Sequence, residues 1–336
     1  MESYILPLEW DEDKQRSYRP YKTLKDAPNF KSMHFGQRKL LLSEIMFLTL
    51  HGVENAVVIY AGAAPSDHII FLSSLFPSFT FILVDPEKWN SKFISLHPDL
   101  GQTNFSEEVK HYKISNKIQV VHGFFSNSLA HSLGQKYNDR PVLFISDIRP
   151  TNIDESSKDI EARNAIVNEN MAMQRSWYGI LNLSREAKKK AWAMFKFKAG
   201  FEHPTTEYLS GDLYYQPWAP LRSPELRLIT NQESTFVYNN KWLEQHMIWY
   251  NEVKRNTKEG EVYSDAKFEH SICSLYLSKF PSIHKGKHSL MIAISLALNQ
   301  KDFNNNLYCF QPGYVPNKYS QQRLINSIIA KDIKYS

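Results

Sequence analysis

Four short apolar runs, AVVIYA (56–61), FTFILV (79–84), IQVVHGFF (118–125) and PVLFIS (141–146), constrain the fold of this chain more than any other feature. Each is too brief for a helix and too rich in β-branched and aromatic residues to favour one, so each reads as a buried strand. Helical patterns fall between them at 67–76 and 127–138. A parallel pair of strands needs a crossover long enough to hold a helix, so this alternation argues an α/β fold of Rossmann-like type, with a central, mostly parallel sheet covered on both faces.

The rest of the chain extends that centre. Residues 1–36, rich in Tyr, Pro, Lys and Asp, read as an irregular arm lying on the body. Leu40, Leu41, Ile45, Leu48 and Leu50 then recur at helical spacing over 37–51, with Lys39 near the start. A long helix is expected over 159–182, strands over 192–197, 212–218 and 225–230, and further helices over 239–256, 266–279 and 287–299. Beyond residue 300 the chain turns to Asn, Gln, Lys and Tyr with Pro312 and Pro316, a composition that reads as a loosely held tail. The expected division is therefore an arm (1–36), an α/β body with added C-terminal helices (37–300) and a tail (301–336).

The net charge of +5 permits an anionic partner without demanding one. Cys273 and Cys309 form neither a disulfide framework nor the paired spacing of a zinc site, so no metal is expected and the compartment reads as reducing. No apolar run reaches the ~18 residues of a membrane span. Asp11, Glu12 and Asp13 close behind Trp10 do not suit a secretory signal. The expectation is a soluble, intracellular protein that uses no membrane.

In an open parallel sheet, ligands sit beyond the carboxyl ends of the strands, so the turn after AVVIYA is where a nucleotide would lie. Gly62 stands there, followed by Ala63, Ala64, Pro65 and Ser66. A dinucleotide needs more glycine than this, because its pyrophosphate approaches the backbone closely. S-adenosylmethionine (SAM), an adenosine ligand without phosphates, does not. The next strand ends at Asp85, where a carboxylate can accept hydrogen bonds from both ribose hydroxyls of SAM or, equally, of NAD.

Lys196 lies inside WAMFKFKAGF, where alternation sets Ala193, Phe195 and Phe197 on one face and Met194, Lys196 and Lys198 on the other. A lysine held among apolar groups loses the hydration of its charged form and can serve as a base near neutral pH, able to take the proton of a ribose hydroxyl. Asp147 closes the strand PVLFIS and Glu225 opens ELRLIT. Singly these are charges at element ends; Lys39, Asp147, Lys196 and Glu225 on one scaffold make a catalytic set.

That order, Lys-Asp-Lys-Glu after a SAM-type loop, resembles the RNA 2′-O-methyltransferases. More narrowly, FGQRKLLLSEIMFL (35–48), VVIYAGAAPSDHI (57–69), VLFISDIR (142–149), WYGILNL and FKFKAGF (177–201) and QPWAPLRSPELRLI (216–229) resemble the poxvirus family of cap-specific mRNA 2′-O-methyltransferases. In that family the protein doubles as the stimulatory subunit of poly(A) polymerase. The resemblance implies a SAM-dependent methyltransferase fold and methyl transfer to the 2′-hydroxyl of the first transcribed nucleotide of capped mRNA, in host cytoplasm or in the virion of a large DNA virus. It also implies a possible poly(A) polymerase catalytic subunit as partner.

Carried onto this chain, the resemblance makes Lys196 the general base, with Lys39, Asp147 and Glu225 placing it. It assigns SAM to Gln37, Tyr60, Gly62, Ser66, Asp85, Phe124, Phe125 and Asp147, the two phenylalanines flanking adenine. Three departures stand out: Ser66 replaces the second glycine of the family's loop, and Pro86 and Glu87 replace a glycine and a basic residue. A methylated guanine carries delocalised positive charge, so a cap pocket needs two aromatic faces and carboxylates. Phe201 matches one face, Tyr21 or Tyr18 of the arm would supply the other, and Glu244 matches one acid, the second falling near Glu202 or His203. Arg185 and Lys188 to Lys190, with Arg149, are candidates for RNA phosphates. The rival readings are a catalytically inactive, methyltransferase-shaped RNA-binding or processivity subunit of a polymerase, a nicotinamide-dependent reductase and a cap-independent ribosomal RNA methyltransferase.

Overall fold

The computed structural model describes residues 1–7, 36–148, 160–186, 189–199, 203–219, 223–256, 258–259, 262–280 and 286–298. Most of the expected arm and all of the expected tail lie outside these residues. The described elements run α1 (Gly36–His51), β1 (Val57–Ala61), α2 (Ile69–Leu75), β2 (Thr80–Asp85), α3 (Ser91–Leu96), β3 (Lys110–Lys113), β4 (Ile118–His122), α4 (Asn127–Lys136), β5 (Val142–Ser146) and α5 (Ile160–Asn182). There follow β6 (Trp192–Lys198), β7 (Thr205–Leu209), β8 (Asp212–Tyr214), β9 (Glu225–Thr230), β10 (Thr235–Asn239), α6 (Asn240–Glu252), β11 (Lys258–Glu259), β12 (Val262–Tyr263), α7 (Ser264–Lys279) and α8 (Lys287–Leu298).

Eight strands form one sheet in the order β3-β4-β2-β1-β5-β6-β9-β8. The neighbours β4-β2-β1-β5-β6 pair in parallel, while β9 runs against both β6 and β8, and β3 runs against β4. The apolar runs read from sequence are its centre: every residue of β1 and β5 is buried. Near-continuous burial is what a parallel strand covered on both faces requires. The expected strand at 118–125 ends at His122 and that at 212–218 ends at Tyr214. Residues 1–7 do lie on the body, with Ile5 bridging Tyr214 and the Tyr4 ring stacked on Phe268 at 3.6 Å.

Helix α1 is buried nearly all round, including Arg38, Lys39 and Glu44, so its charges need internal partners. Arg38 donates to Glu269 of α7, through Nε at 2.9 Å and through Nη2, and to Ser295 Oγ of α8 at 2.8 Å. Trp218 Nε1 donates to the same Glu269 at 2.7 Å. The C-terminal helices thus fix the start of α1, and with it Lys39, over the sheet.

Candidate active site

The register of the sheet gathers the ionic residues. Ser146 of β5 lies opposite Phe195 of β6, which brings the next residue, Asp147, level with Lys196; Lys196 in turn lies opposite Arg227 of β9. Glu225 stands two residues along β9 from Arg227 and so points to the same face. Lys39 reaches that face from α1.

The contacts are close. Lys39 Nζ lies 2.6 Å from Glu225 Oε1. Lys196 Nζ lies 3.3 Å from Glu225 Oε2 and 3.8 Å from Asp147 Oδ1. Arg227 donates to Asp147 Oδ1 at 2.8 Å, to Glu225 Oε1 at 3.2 Å and to Gln216 Oε1 at 2.9 Å, while Gln216 Nε2 donates to the Glu225 backbone carbonyl at 3.0 Å. All four residues expected to act together are here. Arg227 was not anticipated, although an arginine flanked by leucines inside ELRLI was a visible signal. Three cations face two carboxylates, and the arginine among them stays charged at any working pH.

Electrostatics distribute the roles. Burial alone would raise the Glu225 carboxyl, but Arg227, Lys39 and Lys196 outweigh it and hold the group well below the usual carboxylate range. Arg227 is pushed up, the carboxylates of Asp147 and Glu225 overcoming its burial. For Lys39 burial wins and pushes the ammonium down, with Glu225 opposing and Arg227 assisting. Lys196 was expected among apolar groups; its charged head instead meets two carboxylates, and its side chain remains 21% exposed where those of Lys39 and Arg227 are 7% and 1%. Of the three cations, Lys196 is the one an incoming substrate can reach.

The loop after β1 abuts this cluster. Gly62 has φ +80°, and a Cβ added there would lie 2.8 Å from the Ile148 nitrogen and 2.9 Å from the Asp147 carbonyl carbon. Its glycine is therefore demanded by backbone packing against the end of β5, beyond any need of a cofactor. Ser66, where the family's loop has glycine, adopts φ +58°, and its hydroxyl folds back onto the Ala63 carbonyl; the serine keeps the backbone conformation a glycine would supply. Asn90 ties the loop down by donating to the carbonyls of Pro65 and Ser66 at 3.0 and 3.1 Å.

Asp85, at the end of β2, accepts from Ala64 N at 3.0 Å and from Glu87 N at 2.8 Å. Burial pushes its carboxyl up against the pull of those two N–H groups. Each oxygen keeps a further lone pair that can accept from a ribose hydroxyl, so the residue fits the ribose of an adenosine ligand such as SAM. Phe124, just past β4, is exposed, whereas Phe125 packs into the core against Phe144 and Trp177 with ring centroids 5.4 and 4.9 Å away. Tyr60 also faces inward: its hydroxyl donates to Glu44 Oε1 at 2.7 Å, and Glu44 pairs with His68, whose imidazole stays raised because Glu44 overcomes its burial. Gln37 is exposed on the first turn of α1.

Of the residues assigned to a cap, Tyr21, Tyr18, Phe201 and Glu202 lie outside the described residues. His203 lines a cleft of about 500 Å³ between α5 and β7, with Asn168, Arg175, Thr205 and Glu207. Glu244 is exposed on α6, its carboxyl raised by partial burial, and is not among the residues lining that cleft. Within the basic run, Arg185 spends its guanidinium on the carbonyls of Lys189, Tyr137 and Arg140, and Lys190 pairs with Glu233 at 2.7 Å. Arg149 and Lys188 lie outside the described residues. Among the described residues no group of three or more His, Cys, Asp or Glu is placed to hold a metal, and no helix is long and apolar enough to cross a membrane.

A family model described as the poly A polymerase regulatory subunit matches residues 11–279. The chain belongs to that family. Two relatives, the cap-specific mRNA (nucleoside-2′-O-)-methyltransferases of the Lausanne and Uriarra strains of Myxoma virus, are each 23% identical over 295 residues, spanning 82% of this chain and 79% of theirs. Among solved structures, bluetongue virus VP4, described as a multifunctional RNA-capping production line, aligns with TM-score 0.42 and 13% identity over 70% of this chain and 34% of that one. Spermidine synthase in complex with the transition-state analogue AdoDATO aligns with TM-score 0.28 and 11% identity over 73% and 70% of the two chains. The fold of this family member is a Rossmann-like α/β fold, its mostly parallel sheet carrying β9 antiparallel between β6 and the edge strand β8.

Proposed function

We propose that the protein transfers a methyl group from SAM to the 2′-hydroxyl of the first transcribed nucleotide of capped mRNA. One observation carries the reading: the solvent-reachable Lys196 sits in a buried ionic cluster that touches the Gly62 loop through Asp147. SAM supplies a sulfonium-borne methyl that needs little activation, so the protein's task is to set the 2′-oxygen in line and remove one proton. Lys196 accepts that proton. Asp147, Glu225 and Arg227 hold Lys196 in place, and Lys39 and Gln216 hold Glu225. Gln37, Gly62, Ser66, Asp85, Phe124 and Asp147 form the cofactor side, with Tyr60 and Phe125 supporting it from within the core. Phe201 and a tyrosine of the arm, Tyr21 or Tyr18, supply the aromatic faces for the methylated guanine of the cap, and Glu244, with Glu202 or His203, meets its ring edge. Work in host cytoplasm accompanies this reading.

The test is methyl transfer from labelled SAM to short RNAs with and without a methylated cap. Incorporation into the capped RNA alone, lost in Lys196→Ala, is expected; equal incorporation into both, or none, refutes cap-specific transfer. The family description favours a second role, binding a poly(A) polymerase catalytic subunit and stimulating it. A wild type that binds no SAM yet raises the processivity of such a polymerase would leave this second role alone standing.

A further inference from the structure

Phe105 and Phe124 are large apolar side chains on the surface, 55% and 49% exposed, yet they are paired: their centroids lie 5.8 Å apart with 25° between the planes. Core burial does not account for either ring. Both sit over the adenosine side of the sheet. Asp85 pairs in register with His122, and Gly123 N donates to the Asp85 carbonyl at 3.1 Å, so Phe124 stands two residues beyond the level of Asp85 and one strand over.

The loop carrying Phe105 is pinned to the same two strand ends. Asn104 N donates to the Pro86 carbonyl at 2.7 Å, next to Asp85 in the chain. Asn104 Nδ2 donates to the His122 carbonyl at 2.7 Å and to that of Glu108 at 3.0 Å. Ser106 Oγ donates to Asn104 Oδ1 at 2.6 Å and to the Glu108 carbonyl at 3.0 Å. The backbone on both sides of Phe105 is hydrogen-bonded to these strand ends, while its ring is exposed.

We propose that Phe105 is the second aromatic wall of the cofactor site, closing on the adenine ring of SAM from the face opposite Phe124. This inference rests on the methyltransferase reading and adds a positioning residue to it. It fills the place left by Phe125, which is committed to the core. A base between two parallel rings needs centroids about 7 Å apart, at the upper end of direct aromatic pairing, so a small rotation of the exposed Phe105 side chain admits it. A wall held by a pinned loop costs little ordering entropy when the base arrives.

The test is isothermal titration with SAM and with S-adenosylhomocysteine against wild type, Phe105→Ala and Phe105→Tyr, each checked by thermal melting. Base–aromatic stacking predicts roughly ten- to hundredfold weaker binding of both ligands by Phe105→Ala, with Phe105→Tyr within about threefold of wild type. At the level of turnover, Phe105→Ala raises the KM for SAM and leaves kcat at saturating SAM unchanged. Phe105→Ala binding both ligands within about twofold of wild type would overturn the inference alone. A wild type that binds neither ligand would overturn the methyltransferase reading and this inference with it.

Discussion

Arg227→Met separates holding the site together from doing its chemistry. The guanidinium is 1% exposed and lies 2.8 Å from Asp147 and 3.2 Å from Glu225. At an effective dielectric of about 20, each pair attracts by roughly 5–6 kcal/mol before desolvation is charged against it. Methionine keeps most of the volume but leaves two carboxylates buried with Lys39 and the less buried Lys196 as their counter-ions. Removing one partner of such a buried set costs about 3–5 kcal/mol, which for a chain of this size lowers the melting temperature by about 4–7 °C. Lys196→Met is the counterpart: its pairs are longer and its side chain more exposed, so stability should change by less than about 1 kcal/mol. Loss of a general base should nevertheless slow methyl transfer by about 10²–10⁴. Differential scanning calorimetry and a single-turnover assay on capped RNA measure the two effects. Should Arg227→Met melt within about 2 °C of wild type, or Lys196→Met prove the less stable of the two, the ionic cluster does not work as argued here.

Gly62→Ala should cost at least about 1–3 kcal/mol, because it meets both a positive φ and backbone atoms under 3 Å away, and chemical denaturation would show it. Phe125→Ala should destabilise by about 3–5 kcal/mol through the cavity it leaves beside Phe144 and Trp177; Phe124→Ala should cost under about 0.5 kcal/mol and weaken SAM binding instead, as melting and titration would distinguish. His51, stacked on Trp192 at 3.7 Å, is pushed down to about 4 by burial and then by Lys279. The native protein therefore keeps His51 neutral while the unfolded chain takes up a proton below about pH 6.5, so this contribution is complete above that pH and is lost as the pH falls toward 4. Urea unfolding of His51→Phe, which retains a ring against Trp192, should show a flatter decline between about pH 6.5 and 4.5 than wild type; an unchanged slope would contradict it.

The elements legible in the sequence were those that burial writes into a periodic pattern. The strands β1, β2, β4, β5, β6 and β9 show as apolar runs because they are covered on two faces. β3 (KHYK) was missed because three of its four residues are exposed, and an edge strand of this kind carries no apolar signature. α3 buries only Phe93, and β7 and β10 pair as a separate two-stranded ribbon whose alternation is broken by exposed Phe236 and Val237. In the site, residue types at strand ends pointed to Asp85, Asp147 and Glu225. What the sequence could not express was cross-strand register. Lys196 opposite Arg227 is a like-charge pair that is unfavourable taken alone; only the fold brings Asp147 and Glu225 between them. For the same reason the desolvation inferred for Lys196 falls in fact on Lys39, which a helix rather than a strand delivers into the ionic cluster.

The strand order explains why these two halves can meet. Going outward from β1 in one direction come β2 and β4, which carry Asp85 and lead to Phe124; going the other way come β5, β6 and β9, which carry Asp147, Lys196 and the Glu225–Arg227 pair. In sequence β1 is followed by β2 on one side of it and β5 by β6 on the other, which makes the β1–β5 boundary the switch point where open α/β sheets form a crevice for ligands. Gly62 closes the floor of that crevice, since any side chain there would strike Asp147 and Ile148. On the proposed reading the cofactor lies over one half with its reactive end at the crevice, and the acceptor ribose lies over the other, so the two reactants approach from opposite directions. Such an approach is what an in-line displacement at carbon requires, and it follows from topology before any catalytic side chain is considered. The side chains then add what topology cannot: a reachable amine, and a buried arginine that helps hold the Glu225 carboxyl well below the usual carboxylate range and ties Asp147 and Glu225 together.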